Sequence, residues 1–146
     1  MATVASLLSQ KGDQVFTVTP TQTVLDALKL MAERNIGAVL VMDGQRVAGI
    51  FSERDYARRG ILKGNSESTP INQVMSPTVY FINLEQSLGV CLALMTEKHI
   101  RHLPVVKDGK VAGIISIGDV VKAIIDEKQS TIAGLENFLV STQNPM

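Results

Sequence analysis

Residues 47–55 read VAGIFSERD, and residues 111–119 read VAGIISIGD. The tetrapeptide Val-Ala-Gly-Ile recurs unchanged, and a serine and an aspartate follow it at the same distances, Ser52 and Asp55 in one copy, Ser116 and Asp119 in the other. Working outward, the stretch from Val15 to Arg59 overlays that from Val79 to Ala123 without a gap. Val15 falls on Val79, Gln22 on Gln86, Leu28 on Leu92, Met31 on Met95, Glu33 on Glu97, Ile36 on Ile100 and Val41 on Val105. The chain is therefore an internal duplication, and two copies suit a pseudo-twofold pair better than a solenoid, which needs three or more repeats.

Each copy reads alike. A short extended segment (VFTV, VYFI) leads through polar residues to a helix whose apolar residues recur at helical spacing: Val24, Leu28, Met31 and Ala32, then Leu88, Leu92, Met95 and Ile100. An apolar run follows (AVLVM, LPVV), then a turn at Asp43-Gly44 or Asp108-Gly109, then a second apolar run (VAGIF, VAGII). The turns read as longer than a two-residue hairpin loop. A second helix closes each copy, SERDYARR and SIGDVVKAI. The expected fold is α/β (α+β), with tandem β-α-β-β-α repeats. The expected division is an N-terminal helix at 1–10, repeat one at 11–62, a Gly/Ser/Pro-rich linker and short helix at 63–74, repeat two at 75–127, and a C-terminal helix with a frayed tail at 128–146.

Composition bounds the function. Fourteen basic and fourteen acidic residues balance among 146, so no charge excess points to a nucleic-acid polymer. The apolar stretches are far shorter than the roughly 20 residues of a membrane span, and the start lacks a secretory signal pattern. A cytoplasmic protein is expected. The single Cys91 agrees with a reducing compartment; it aligns with Ala27 and reads as a buried structural thiol. His99 and His102 have no Cys or acidic partner at metal spacing, so no metal site is expected, and His99 reads as a helix end. No nucleophile–base pair, paired carboxylates or phosphate-binding loop appears, so no catalytic residue and no enzyme are expected.

Gly-Ile-x-Ser-x-x-Asp falls where a strand passes into a helix. Helix N-termini attract anions, and glycine lets a backbone or ligand come close. A serine hydroxyl there suits a phosphate, and an aspartate one turn on accepts from ribose hydroxyls. Ser-x-x-Asp is also close to a capping box, which explains either copy taken singly. Capping alone, however, does not require Gly-Ile in front.

This motif, its duplication and RHLPVV at Arg101–Val106 resemble a CBS-domain pair, or Bateman module, of the stand-alone two-repeat type; the likeness spans about Lys11 to Glu127. The resemblance implies a pseudo-twofold pair holding AMP, ATP or NAD between its repeats, S-adenosylmethionine fitting less well, with no catalytic cofactor. It implies one site using Ile50, Ser52 and Asp55 with Met75, Thr78, Tyr80, Arg101 and His102. The other would use Ile114, Ser116 and Asp119 with Lys11, Phe16, Gly37 and Ala38. Arg54 and Arg58 beside Asp55 suit a phosphate, or else form a solvated helix face. With them the first site gathers more positive charge and is expected to be the main one. The resemblance further implies a homodimer and a regulatory, energy-sensing module acting in trans on an unidentified protein, with no membrane or nucleic-acid partner. The alternative is a structural or protein-interaction module whose sites stay empty.

Overall fold

A computed structural model of the chain describes residues 2–128. The chain divides into two compact units, one of residues 14–80 and one of residues 1–13 with 81 onward. The boundary does not follow the repeats. The N-terminal helix α1 (Val4–Lys11), expected in front of repeat one, belongs to the unit of repeat two.

In the unit of residues 14–80 the order is β1 (Thr17–Val18), α2 (Val24–Arg34), β2 (Ala38–Asp43), β3 (Arg46–Ser52) and α3 (Glu53–Asp55). β2 lies between β1, which it pairs in parallel, and β3, which it pairs antiparallel. Helix α2 starts at a reciprocal cap: the Thr23 hydroxyl accepts from the Asp26 N–H, and the Asp26 carboxylate accepts from the Thr23 N–H. It ends at Asn35, whose φ of 55° is the left-handed geometry that asparagine tolerates. Val24, Ala27 and Met31 of α2 pack with Val18, Val39, Val41, Phe51, Ile71 and Val74 into one core. Leu28 is only partly buried at its edge, and Ala32, expected on the inner face, is exposed, because the stripe runs through Ala27 instead.

The expected second helix of this copy is less regular than its sequence suggests. One α turn passes into a π-helical turn at Tyr56–Gly60 and a 3-10 turn at Ile61–Lys63. The Ile61 N–H reaches back to the Tyr56 carbonyl, and the Tyr56 ring lies against Gly60, where a Cβ would sit 3.0 Å from the ring edge. The short helix expected near Ile71–Met75 is a 3-10 turn over Ile71–Gln73.

The other unit repeats the plan. Its elements are α1, α4 (Leu88–Lys98), β4 (His102–Lys107), β5 (Lys110–Ser116) and a helix α5 from 117 to 128. The extended segment VYFI shrinks to one parallel bridge between Ile82 and Val105. Buried Leu88, Cys91 and Met95 form the inner stripe of α4, and Leu92 is half-buried. His99 ends α4 at φ 56°, as its position at a helix end suggested. α1 is tied in by the Val4 N–H on the Gln86 carbonyl (2.9 Å) and the Ala5 N–H on the Leu84 carbonyl (3.0 Å).

Both hairpin loops are shorter than expected. Asp43 pairs with Arg46 and Lys107 with Lys110, leaving two-residue turns at Gly44-Gln45 and Asp108-Gly109. Asp108 and Gly109 both have positive φ (53° and 76°), as a type I′ hairpin requires, and Gly44 alone does so in the first. The strands run on through exposed Asp43, Arg46, Lys107 and Lys110, which carry no hydrophobic signal. A register shift follows Val41 and, at the matching position, Val105. The C-terminal helix expected through Ile132, Leu135, Phe138 and Leu139 lies outside the described residues.

Candidate functional site

β3 and β5 each end at the motif serine, and the capping reading is realised in both copies. In the first, the Asp55 carboxylate accepts through Oδ2 from the Ser52 N–H (2.9 Å) and hydroxyl (3.1 Å), while the Asp55 N–H donates to Ser52 Oγ (3.2 Å). In the second, Asp119 Oδ2 accepts from the Ser116 N–H (2.8 Å), and the Asp119 N–H donates to Ser116 Oγ (3.0 Å). Capping engages one carboxylate oxygen in each copy, and a carboxylate has two, with about four acceptor positions. The Thr23–Asp26 box does the same capping after Gln22, so a preceding Gly-Ile is not a requirement of the cap.

The close approach that the motif glycine permits is made by the chain itself. A Cβ at Gly49 would stand 2.6 Å from the Met75 sulfur and 2.6 Å from the Ser76 carbonyl oxygen. Ser76 pairs with Ile50 through two backbone hydrogen bonds, of 3.0 and 2.8 Å. Arg59 fixes the same segment by donating to the Met75 carbonyl (3.1 Å). At Gly113 the neighbour is the Leu8 side chain from α1, 2.9 Å from the Cβ position. These segments therefore occupy equivalent places, 75–76 on β3 and α1 on β5.

The difference lies at the carbonyl of the motif isoleucine. Ile50's oxygen accepts from the Ser76 N–H (2.8 Å), whereas Ile114's accepts from the Lys11 ammonium (2.6 Å). Lys11 Nζ also lies 2.5 Å from Asp119 Oδ2. Burial alone would raise the Asp119 pKa, but the hydrogen bonds from Lys11 and Ser116 and the Lys11 charge outweigh it and hold the carboxyl below its ordinary range.

Of the first site's expected members, Ile50, Ser52, Arg54, Asp55, Arg58, Met75, Thr78 and Tyr80 lie in the unit of residues 14–80, whereas Arg101 and His102 lie in the other unit, with His102 paired to the second motif's Ser116. The Ile50–Ser76 pairing brings Met75 beside the first motif; Ser52, Arg54, Asp55 and Tyr80 are half-buried, and Arg58 and Thr78 exposed. Gly37 and Ala38 sit in the same unit, the Gly37 carbonyl accepting from the Glu53 N–H (3.1 Å) and Ala38 pairing with Ser52. Phe16 carries the Arg34 guanidinium 4.8 Å above its ring. In the other unit the Arg101 carbonyl accepts from the Ile117 N–H (2.8 Å) and His102 pairs with Ser116. Burial, helped by the Lys11 and Arg101 charges and opposed by Asp119, pushes His102 down to about 4, so it is neutral near pH 7. Lys11, Arg101, His102, Ser116 and Asp119 thus form one cluster within one unit. Sequence reasoning missed Ser76 and Arg59, since backbone pairing and a guanidinium on a carbonyl leave no residue pattern. Among the described residues no three His, Cys, Asp or Glu side chains gather as a metal site, and no helix is long and apolar enough to cross a membrane.

A duplicated β-α-β-β-α unit with this motif at the strand end defines a class of paired α/β modules. The CBS domain profile matches residues 7–61 and again 71–126. The chain belongs to the CBS-domain family and carries a CBS-domain pair. It is 34% identical to the CBS domain-containing protein YhcV of Bacillus subtilis over 97% of this chain and 99% of that one. It is 35% identical to the mitochondrial CBS domain-containing protein CBSX3 of Arabidopsis thaliana, over 94% of this chain and 71% of that one. A solved protein with CBS domains from Burkholderia ambifaria superimposes with a TM-score of 0.83 at 47% identity, covering 86% of this chain and 95% of the other. CBS-domain pairs generally bind adenosine ligands as regulatory modules.

Proposed function

We propose that this chain is a sensor of adenine nucleotides, of the AMP, ATP or NAD type, that binds without transforming them and acts on a partner protein. The observation carrying this reading is the twofold recurrence of a half-buried Ser–Asp pair behind Gly-Ile, in one geometry, with a carboxylate oxygen in each copy left over from capping. The residues proposed to hold ligand are Ile50, Ser52, Arg54, Asp55, Arg58, Met75, Thr78 and Tyr80 around the first motif. In the other unit they are Ile114, Ser116, Asp119, Lys11, Arg101 and His102, and Phe16, Gly37 and Ala38 of the unit of residues 14–80 complete the proposed set. Ribose hydroxyls donate to the aspartates, and the cations meet phosphate.

A homodimer is part of the proposal. Val121 and Ile125 are exposed one turn apart on α5, and Val90 is exposed on α4, a set of apolar side chains that suits a second copy. Isothermal titration with AMP, ATP, NAD and S-adenosylmethionine tests the function: micromolar binding of one of them supports it. Silence toward all four, with an unshifted melting temperature, favours the reading in which Ser and Asp only cap helices and the protein is an interaction module.

A further inference from the structure

Lys11 stands where the other unit has a backbone amide. The Ile114 carbonyl, whose counterpart on Ile50 is met by the Ser76 N–H, is met instead by an ammonium, and that ammonium continues to the motif aspartate. Resting on the nucleotide reading above, we infer that Lys11 makes the site at Ser116 and Asp119 selective for phosphorylated adenine nucleotides over adenosine and over cationic adenosyl compounds.

The argument is one of donors and charges. A lysine ammonium has three N–H donors; the Ile114 carbonyl and Asp119 take two, and the third is left for an anionic oxygen. The pair is accessible, with Lys11 34% and Asp119 28% exposed at their side chains. A carboxylate alone would repel a phosphate brought in beside the ribose. Lys11 cancels that charge, and Arg101 lies close enough to act with it on His102. The same ammonium works against a ligand lacking phosphate, since ribose hydroxyls must share Asp119 with a cation already bonded to it. A sulfonium ligand adds positive charge beside Lys11 and Arg101. Nearby His102 is neutral near pH 7 and does not alter this balance.

Two ligands and one side chain test this. In an Asp55→Ala background, which weakens the first site, binding of AMP and of adenosine is measured by calorimetry with Lys11, Lys11→Met and Lys11→Arg. With Lys11→Met, AMP affinity is expected to fall about tenfold or more, the scale of a lost hydrogen bond to a charged group, while adenosine affinity holds or rises. Lys11→Arg, which keeps the charge, should retain the preference for AMP. Melting curves establish that each variant is folded. A parallel fall for both ligands, or no change in either, overturns the selectivity while leaving nucleotide binding standing. A parent protein that binds neither AMP nor adenosine overturns this inference, and silence toward ATP and NAD as well overturns the nucleotide reading with it.

Discussion

Replacing Gly49 with alanine should cost far more stability than the same change at Gly113, although both occupy one position of one motif. Neither glycine has positive φ, so alanine suits either backbone, and the difference comes from what the methyl meets. At Gly49 it lands 2.6 Å from the Ser76 carbonyl oxygen, a backbone atom held by the two hydrogen bonds between Ile50 and Ser76. Overpacking costs about 1–3 kcal/mol, and each strained backbone bond is worth about 0.5–1.5 kcal/mol net. The expected loss is about 3 kcal/mol. At Gly113 the atoms nearest the methyl are Leu8 side-chain carbons, two of them at 2.9 Å, and a side-chain end yields more readily than a paired backbone carbonyl. The smaller unfolded-state entropy of alanine returns about 0.4–1 kcal/mol, so the net loss should be about 1 kcal/mol or less. For a chain of this size roughly 2–4 °C of Tm corresponds to 1 kcal/mol. Thermal melts should therefore separate the variants by several degrees. A Gly113→Ala protein that melts as low as Gly49→Ala would refute the assignment of the 75–76 segment as the fixed neighbour.

Asp55→Ala should lower nucleotide affinity about tenfold or more, and Asp119→Ala less, because Lys11 already bonds Asp119; equal losses in calorimetry would refute the difference between the motifs. His102 takes its proton near pH 4 when folded and near 6.5 when unfolded, so the unfolded chain binds more protons in that window and stability falls as pH drops from 6.5 toward 4. Urea midpoints of His102→Gln should gain on those of the parent at pH 4.5 relative to pH 7.5, and an unchanged difference would refute the depressed value. Burial raises the Cys91 pKa and covers the thiol, so a thiol reagent should label it slowly in the native protein and rapidly in urea; equal rates would contradict that placement. Val121→Glu with Ile125→Glu should shift a dimer toward monomer in analytical ultracentrifugation, and an unaltered mass would move the interface elsewhere.

The duplication, the element order and part of each long helix's inner stripe were legible in the residues because hydrophobic period and motif spacing are local, although Leu28, Ala32 and Leu92 were placed too far inward. Met31 and Met95 could be placed in the core that way, and so could Cys91 through its alignment with Ala27. The two-residue hairpins were not, because their last strand residues are exposed and polar, and pairing alone includes them. Nor did the pattern show that α1 serves the second repeat while residues 66–76 serve the first, since that exchange depends on hydrogen bonds between segments far apart in sequence, such as Val4 on Gln86 and Ile50 on Ser76. The serine and aspartate of each motif could be named from the sequence as candidate ligand groups. Only the tertiary structure decided that one of the two aspartates is held by a lysine 108 residues away, because an ion pair across that separation follows from which helix covers which strand.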